Sequence, residues 1–307
     1  MNAPADVLFR DLRGVRATLI GLGRRTHVAL TRYLAEHGAL VRISEQKTAA
    51  ELTDELAMLA PYQVDLRLGG HRDSDVDDAD VVFVTPAAPR ELPVLEVARR
   101  RGIPVSNEIE LFFARCAAPI IGITGSAGKT TTTTLVGKML EGGSWPVYVG
   151  GNIGVPLIDK VDSIDPKSWV VLELSSYQLE TLRQSPRIGA VLNVTPNHLD
   201  RHLSFEHYRE SKFNLLRFQR PADTAVLGRD DPVASSLAAR CPGSVRWFSS
   251  TQDVAIGAFR RDDALVVRDE DGEAIVGLVD RLQIPGSHNV LNVLAAAAIS
   301  RAVGVAP

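Results

Sequence analysis

The chain is poor in the features that mark several special classes of protein. Its 307 residues include two cysteines, Cys116 and Cys241, without the CxxC spacing of metal or redox sites. This argues against a disulfide framework and a cysteine zinc site, and it favours a reducing compartment. The net charge is −3, with no excess of basic residues. Nucleic acid is therefore not expected as a partner, because phosphate backbones select for basic surfaces.

Long hydrophobic runs are also missing. The most apolar stretch, residues 290–299, is shorter than the ~18 residues that a membrane-spanning helix needs, and it predicts a core helix instead. The N-terminal residues include Asp6, Arg10, Asp11 and Arg13 and do not form a signal peptide. We expect a cytoplasmic protein that does not insert into membranes, and we expect it to be a monomer.

Alternating strand and helix patterns predict two α/β domains. Residues 1–117 are predicted to form a Rossmann-like domain with a parallel sheet. Residues 118–307 are predicted to form a P-loop-type α/β ATPase domain. In this second domain, residues 264–279 suggest an antiparallel hairpin and residues 288–303 a closing helix.

The most informative segment is residues 120–130, IIGITGSAGKT, which predicts a buried strand, a glycine turn and a helix beginning at Lys129. The N–H groups and dipole of such a helix start favour a phosphate. Lys129 is suited to the outer phosphates and the Thr130 hydroxyl to Mg²⁺. Gly125 and Gly128 are separated by two residues rather than the standard four. A structural turn without a ligand is therefore the alternative. The predicted loop residues are Gly125, Ser126, Ala127, Gly128, Lys129, Thr130 and Thr131.

Polar residues elsewhere in this domain each allow two interpretations. Glu173 ends an apolar strand and suits Mg²⁺, although a surface glutamate is the alternative. His198 follows the next strand, where a lone histidine is more often structural. Lys212 lies on a predicted helix, and its pattern alone favours exposure to solvent. Asn289 and Asn292 begin the last helix and would cap it or contact a nucleotide base.

The first domain contains a weaker signal, the turn Gly21-Leu22-Gly23 at the end of its first strand. A dinucleotide fingerprint would need glycine where Thr26 stands. Glu45 ends the second strand, where that fingerprint places an acid that binds ribose. A phosphate or nucleotide-sugar pocket, an NAD site and a purely structural turn all remain open.

Together these segments resemble the Mur ligases, the ATP-dependent amide-forming enzymes of peptidoglycan synthesis. The resemblance covers essentially the whole chain and is strongest to the branch that joins D-glutamate to UDP-N-acetylmuramoyl-L-alanine. It rests on six motifs in one order: ITGSAGKTT at 123–131, VGGNIG at 149–154, LELSSYQLE at 172–180, NVTPNHLDR at 193–201, YRESK at 208–212 and GSHNVLN at 286–292.

The resemblance implies ATP and two Mg²⁺ ions as cofactors. Lys129 and Thr130 would hold the ATP phosphates and Mg²⁺, and Glu173 and His198 match metal-binding positions of the family. Lys212 matches a lysine that the family carbamylates, which gives an extra carboxylate near the second Mg²⁺. Lys129, Glu173, His198 and Lys212 are thus the implied catalytic residues, and Thr130, Glu173, His198 and Lys212 the implied metal site.

The resemblance also implies where substrates bind. The first domain would hold the UDP part through Gly23, Arg24, Arg25, Glu45 and Lys47. In the second domain, Asn152 and His198 would contact substrate or phosphate, and Asn289 and Asn292 would face the nucleotide. ATP would convert the carboxylate of UDP-N-acetylmuramoyl-L-alanine to an acyl phosphate, which the amine of D-glutamate attacks.

Some positions depart from the family pattern. Ala127 stands in place of the usual asparagine, Asn197 in place of an acid, and TPAAP at 85–89 in place of a Ser-Pro-Gly turn. The chain ends after the predicted last helix of the central domain, so we expect it to lack the family's third domain and to be incomplete for turnover. The alternatives are a non-catalytic ATP and UDP-sugar binding module, or a Mur-type ligase with a different amino acid acceptor.

Overall fold

The structure is a computed structural model that describes residues 8, 11–23, 25–86, 88–89, 91–197 and 201–306. It divides into two compact units. The first comprises residues 1–116 and 155–164, and the second comprises residues 117–154 and 165–307. The predicted boundary lies at residue 117, and the packing of residues 155–164 with the first unit was not predicted. Among the described residues, no helix is both long and apolar enough to cross a membrane.

In the described part of the first unit, five parallel strands form a sheet in the order β3-β2-β1-β4-β5. This confirms the predicted parallel sheet, although β3 was not predicted because its charged residues hide the strand pattern. The chain order places β2 and β4 on opposite sides of β1, so the loops diverge at the carboxyl end of β1. The strands are β1 Arg16–Ile20, β2 Leu40–Glu45, β3 Val64–Leu68, β4 Val81–Val84 and β5 Val105–Ser106; the helices are α1 Thr26–Glu36, α2 Thr53–Leu59, α3 Pro93–Arg100 and α4 Glu108–Arg115.

In the described part of the second unit, nine strands form a mixed sheet in the order β14-β13-β12-β11-β10-β9-β6-β8-β7. In this spatial order, all neighbouring strands between β12 and β7 pair in parallel. The pairs β12-β13 and β13-β14 are antiparallel. The predicted hairpin is therefore confirmed as β13 and β14, whereas β12 was missed. The strands are β6 Ile120–Thr124, β7 Val147–Gly151, β8 Trp169–Glu173, β9 Ile188–Val191, β10 Thr224–Gly228, β11 Ser244–Ser249, β12 Gly257–Arg261, β13 Ala264–Asp269 and β14 Gly272–Leu278; the helices are α5 Lys129–Leu140, α6 Ser176–Leu179, α7 Phe205–Arg217, α8 Pro232–Ser236 and α9 Ser287–Val303.

The core of the second unit lies between its sheet, α5 and α9. Ala295 and Ala296 are fully buried in α9, and such small side chains let this helix approach α5 and the strands closely. Leu294 and Ile299 supply the larger apolar surface on the same helix. The helix ends at Gly304, whose φ of 101° suits a glycine C-cap. The predicted core helix at residues 290–299 is thus confirmed.

The segment at residues 155–164 is held to the first unit by apolar and polar contacts. Its short 3₁₀ helix, Ile158–Ser163, packs on α1 and α4, and the Ile158 side chain is fully buried. The Asp162 carboxylate lies 2.9 Å from Nε2 of His37 on α1. Burial, and then the charge of Asp159, raise the pKa of Glu108 on α4 to about 8. The segment therefore contributes both core and charge to this unit.

Replacing Ile158 with alanine should destabilise the first unit by about 2–5 kcal/mol, because a fully buried side chain is lost and a cavity is left. The milder Ile158→Val change, the matched control, should cost about 0.5–1.5 kcal/mol. Amide hydrogen exchange resolved to α1 and α4 measures the effect, since exchange through unfolding of the unit accelerates as its stability falls. Faster exchange confined to β6 and α9 would contradict the assignment of this segment.

Candidate functional site

Three neighbouring parallel strands of the second unit end at one place. β6 lies between β8 and β9, so the residues after Thr124, Glu173 and Val191 meet at the carboxyl edge of the sheet. The chain passes from β8 on one side of β6 to β9 on the other, which makes this edge a topological switch point. Open α/β sheets bind ligands at such points.

The phosphate loop spans Gly125 to Gly128 and leads directly into α5, which begins at Lys129 as predicted. Gly128 has a φ of +83°, and a Cβ atom there would lie 2.3 Å from Oδ1 of Asn292. Both the backbone conformation and the space therefore require glycine. The Ala127 N–H donates to Oδ1 of Asn193 at 2.9 Å, and Nδ2 of Asn193 donates to the Ala127 carbonyl at 3.1 Å. These bonds hold the loop without the asparagine side chain that the family usually has at position 127.

Two lysines converge on the carbonyl oxygen of Gly125. Nζ of Lys129 donates to it at 3.0 Å, and Nζ of Lys212 donates to it at 2.9 Å and to Oγ1 of Thr124 at 3.3 Å. Lys212 is 1% exposed. The expectation of solvent exposure from its helical pattern is therefore wrong, because α7 packs this face towards the phosphate loop.

The surroundings lower the proton affinity of both lysines. Burial, and then the charge of Lys129, lower the pKa of Lys212 to about 7. Burial lowers the pKa of Lys129, and the charge of Glu173 opposes that shift. Lys212 is therefore present to a large extent as a neutral amine near pH 7. When protonated, the pair favours an anion beside the loop.

Glu173 lies at the end of β8 and is 2% exposed, so the alternative of a surface glutamate is wrong. Its Oε2 atom accepts a hydrogen bond of 2.7 Å from the Thr130 hydroxyl, and its Oε1 atom accepts one of 2.9 Å from Nδ2 of Asn152. Gly151 has a φ of +93°, and a Cβ there would lie 2.3 Å from the Glu173 carbonyl oxygen. The VGGNIG motif thus brings Asn152 to this carboxylate. The oxygens of Thr130 and Glu173 are the ligand type that Mg²⁺ prefers.

His198 was predicted to complete the metal site, but it lies outside the described residues. So does Asp200, its neighbour in the same motif. The described flanks, Asn197 and Arg201, bound that segment on either side. The role of His198 stays a prediction.

Neither asparagine of α9 caps the helix, and Asn292 lies beside Gly128 of the phosphate loop. The N-cap position is Gly286. Asn292 is buried; its Oδ1 accepts a hydrogen bond of 3.4 Å from the Thr132 hydroxyl, and its Nδ2 donates to Oδ1 of Asn289 at 3.0 Å. Nδ2 of Asn289 donates to the carbonyl of Pro285 at 2.6 Å. The cap interpretation is therefore wrong, and contact of these residues with a nucleotide stays a prediction.

A groove of about 890 Å³ begins at the phosphate-loop helix of the second unit. Thr130 and Thr131 line one end, and α5, the β13-β14 hairpin and α9 form its walls through residues such as Leu135, Val267 and Val293. A nucleotide with its phosphates at the loop would have an apolar surface available here for its base.

In the first unit, the turn after β1 is held by a buried carboxylate. Glu45 accepts hydrogen bonds from the backbone N–H groups of Leu22 and Lys47 through its two carboxylate oxygens. Gly21 has a φ of +84°, and a Cβ there would approach Oγ1 of Thr85 to 3.0 Å. Glu45 therefore shapes the turn, which accounts for its burial without a ribose contact.

The other predicted substrate-binding residues of this unit lie on exposed loops. Gly23 and Arg25 follow β1, and Lys47 follows the adjacent parallel strand β2, so all three lie beyond the same edge of the sheet. Arg24 lies outside the described residues. The arrangement is a switch-point crevice, which is consistent with a phosphate or nucleotide-sugar pocket.

Two residues that shape these sites, Tyr208 and His27, were not predicted as site residues. Tyr208 places its hydroxyl 3.0 Å from Oγ of Ser126, and its ring lies 4.7 Å from Nζ of Lys212. Its position four residues before Lys212 on one helix face was an available signal. His27 is fully buried, and its Nδ1 lies 2.6 Å from the Gly21 carbonyl; burial lowers its pKa to about 4. Nothing in the sequence distinguished His27 from an ordinary core residue.

Comparison with known proteins agrees with this geometry. Residues 123–300 match the Mur ligase middle domain, and residues 15–107 match the N-terminal domain described as Mur ligase MurD-like. The chain belongs to the Mur ligase family. The resemblance inferred from the six motifs is therefore confirmed.

The curated relatives include two ligases with the same name. The chain is 44% identical over 285 residues to UDP-N-acetylmuramoylalanine–D-glutamate ligase of Symbiobacterium thermophilum, covering 92% of this chain and 62% of that protein. It is 41% identical over 298 residues to the ligase of that name from Koribacter versatilis, covering 97% of this chain and 66% of that protein. The chain thus spans somewhat less than two thirds of the length of these relatives.

A solved structure shares the fold. It is the UDP-N-acetylmuramate:L-alanyl-γ-D-glutamyl-meso-diaminopimelate ligase from Neisseria meningitides, with a TM-score of 0.63 and 20% identity, covering 95% of this chain and 94% of the other. At this identity the likeness concerns the fold alone. It agrees with the predicted class, a parallel-sheet N-terminal unit followed by an α/β unit with a phosphate loop.

The buried Lys212 should make stability depend on pH. Its pKa falls from 10.5 in the unfolded chain to about 7 in the folded chain. Between these values the unfolded state binds more protons, so stability should rise with pH. In CO₂-free buffer, the difference in free energy of unfolding between wild type and Lys212→Met should grow in favour of wild type from about pH 7 to about pH 10.

Urea denaturation at a series of pH values measures this difference. Lys138→Met is the matched control for loss of a lysine side chain, because Lys138 is an exposed lysine of the same unit. A pH-independent difference for Lys212→Met would show that Lys212 titrates normally.

Proposed function

We propose that this chain forms the UDP-substrate-binding and ATP-binding parts of an ADP-forming ligase. The ligase joins D-glutamate to UDP-N-acetylmuramoyl-L-alanine in peptidoglycan synthesis. One observation carries the proposal: Lys129 and Lys212 converge on the phosphate loop beside the buried Glu173, which accepts a hydrogen bond from Thr130. This arrangement places the Lys129 ammonium at a helix N-terminus, beside a lysine of lowered pKa and next to metal-binding oxygens.

The residues of the second unit suit transfer of the ATP γ-phosphoryl group to a carboxylate. The N–H groups at the start of α5 and the ammonium of Lys129 orient the phosphates and stabilise charge that develops on them. Thr130 and Glu173 would hold Mg²⁺, which when bound neutralises phosphate charge. Asn152, fixed by Glu173, is placed to orient the carboxylate or phosphate. The resulting acyl phosphate is then open to attack by the amine of D-glutamate, with release of phosphate.

Carbamylation of Lys212 fits its surroundings. The neutral amine attacks CO₂, an N–C bond forms, and one proton is released, leaving a carbamate anion. Burial disfavours the ammonium form, and the neighbouring Lys129 favours a negative charge at this position. The product would change one of two adjacent cations into an extra carboxylate for Mg²⁺, as the family resemblance implies.

The assignment of the UDP-sugar to the first unit is supported by the switch-point crevice beyond β1 and by the MurD-like match at residues 15–107. The assignment of D-glutamate as the acceptor is supported by the two D-glutamate ligases to which the chain is 44% and 41% identical. A binding module without ligation and a ligase with another acceptor remain the alternative functions. The monomeric state and the cytoplasmic location remain predictions.

Calorimetric titration of this chain with UDP-N-acetylmuramoyl-L-alanine, with Mg²⁺ and a non-hydrolysable ATP analogue present, tests the proposal. We expect saturable 1:1 binding that UDP-glucose does not reproduce. Lys129→Ala should abolish binding of the ATP analogue, because the phosphates lose their cation, while the exposed Lys167→Ala control in the same unit, outside the groove, should bind normally.

Binding of the ATP analogue without binding of the muramyl substrate would argue for another substrate in the first unit. Unchanged binding of the analogue by Lys129→Ala would refute the assigned role of the phosphate loop.

Carbamylation has its own test. After incubation with ¹³C-bicarbonate at pH 8, ¹³C NMR should show a carbamate signal in wild type and in Lys138→Arg but not in Lys212→Arg. The signal should decline as the pH falls below about 7, because the Lys212 amine is then protonated. A carbamate signal that persists in Lys212→Arg would assign the modification to another residue.

A further inference from the structure

A second cluster of metal-ligating side chains lies in the second unit, apart from Thr130 and Glu173. Within the described ranges, one ligand atom each of Glu180, His202 and His207 lies within 4.8 Å of the other two. Glu180 directly follows α6, His202 lies in the loop before α7, and His207 lies in the first turn of α7. The end of α6 and the segment that leads into α7 are thus brought together.

The geometry of the two histidines suits a metal ion. Nδ1 of His202 and Nδ1 of His207 are 3.0 Å apart. Two nitrogens bound to one tetrahedral Zn²⁺ at about 2.0–2.1 Å would be separated by roughly 3.3–3.4 Å. A small rotation of either ring therefore gives the spacing of a metal site. His202 is 3% exposed, so this nitrogen is shielded from bulk water.

The surroundings of His202 fix its ring and its tautomer. Nε2 of His202 lies 2.9 Å from Oγ of Ser176, and an Nε2–H that donates there leaves the Nδ1 lone pair directed at His207. Metal-binding histidines commonly use their second nitrogen in this way. The ring of Tyr177 stacks on His202 at 5.0 Å, and the ring of Tyr208 meets it edge-on at 5.1 Å. The ligand is therefore held in one orientation by its neighbours.

We propose that Glu180, His202 and His207 bind a divalent transition-metal ion, with Zn²⁺ as the best fit. Two imidazoles and one carboxylate match the donors that Zn²⁺ accepts, and they leave one position for water. Mg²⁺ prefers a set of oxygen ligands and would be a poor competitor here. The proposal does not depend on the ligase function and extends beyond it.

The ion would tie the first turn of α7 to the end of α6. The same helix carries Tyr208, which contacts Ser126 of the phosphate loop, and Lys212, which contacts Gly125. Zn²⁺ would therefore stabilise the position of these two side chains. The ion would thus act on the phosphate loop through the position of α7.

The test is titration of the whole chain with Zn²⁺ in excess Mg²⁺, by calorimetry and by thermal unfolding. His207→Gln is the decisive variant, because glutamine at the third position of α7 suits the N-terminal turn that the Ser204 hydroxyl caps. Glu180→Gln is the second variant. The matched control is His288→Gln, which removes an exposed histidine of the same unit.

Wild type and His288→Gln should bind one Zn²⁺ and gain thermal stability from it. His207→Gln and Glu180→Gln should bind Zn²⁺ more weakly by at least about tenfold. Co²⁺ in place of Zn²⁺ should give the strong visible absorption of four-coordinate cobalt in wild type but not in His207→Gln. Titration of the ATP analogue into wild type and His207→Gln measures nucleotide binding separately. Failure of the metal-site proposal and failure of the proposed function can therefore be distinguished.

Two outcomes would overturn the proposal: no Zn²⁺ binding by wild type, or equal Zn²⁺ affinity in wild type and in both ligand variants. In either case the contact between the two histidines is an N–H···N hydrogen bond rather than a metal site.

Discussion

The shared contact of Lys129 and Lys212 with the Gly125 carbonyl is the constraint on which the rest of the second unit depends. Two cationic groups next to each other, one of them buried, are unfavourable unless their charge is compensated or removed. In this unit Glu173 provides a buried carboxylate, the start of α5 favours anions, and the pKa of Lys212 falls to about 7. Each of these features is consistent with the proposed phosphate site.

Maintaining that contact requires several elements to be fixed at once. α7 must be held so that Lys212 reaches the loop, and Tyr208 helps by contacting Ser126. The loop itself is held by Asn193 from the end of β9, and α9 reaches it through Asn292. The parallel order of β8, β6 and β9 brings these supports to one edge of the sheet. Residues far apart in sequence thereby form one site.

The first unit also holds a glycine turn in place through side chains outside that turn, but the side chains are of different types. Its β1 turn is held by the buried Glu45 and by His27 rather than by a lysine pair. The turn is thus well defined without a ligand, which would reduce the entropic cost of binding one. The segment at residues 155–164 adds Ile158 to this unit's core, although it lies beyond the phosphate loop in the sequence. The units are interleaved in sequence although each is compact.

The sequence by itself determined the fold class, the phosphate loop, the hairpin of β13 and β14, and the family, because glycine turns, apolar periodicity and ordered motifs are local signals. It also placed Glu173, Thr130 and Lys129 in one predicted site, since strand ends of a parallel sheet converge. Only the tertiary structure decided that Lys212 is buried, that Glu45 holds a turn, and that Asn292 reaches the loop instead of capping α9. Those properties depend on what packs against each residue from distant segments, and side-chain burial and hydrogen-bond partners across long sequence separations leave no local pattern.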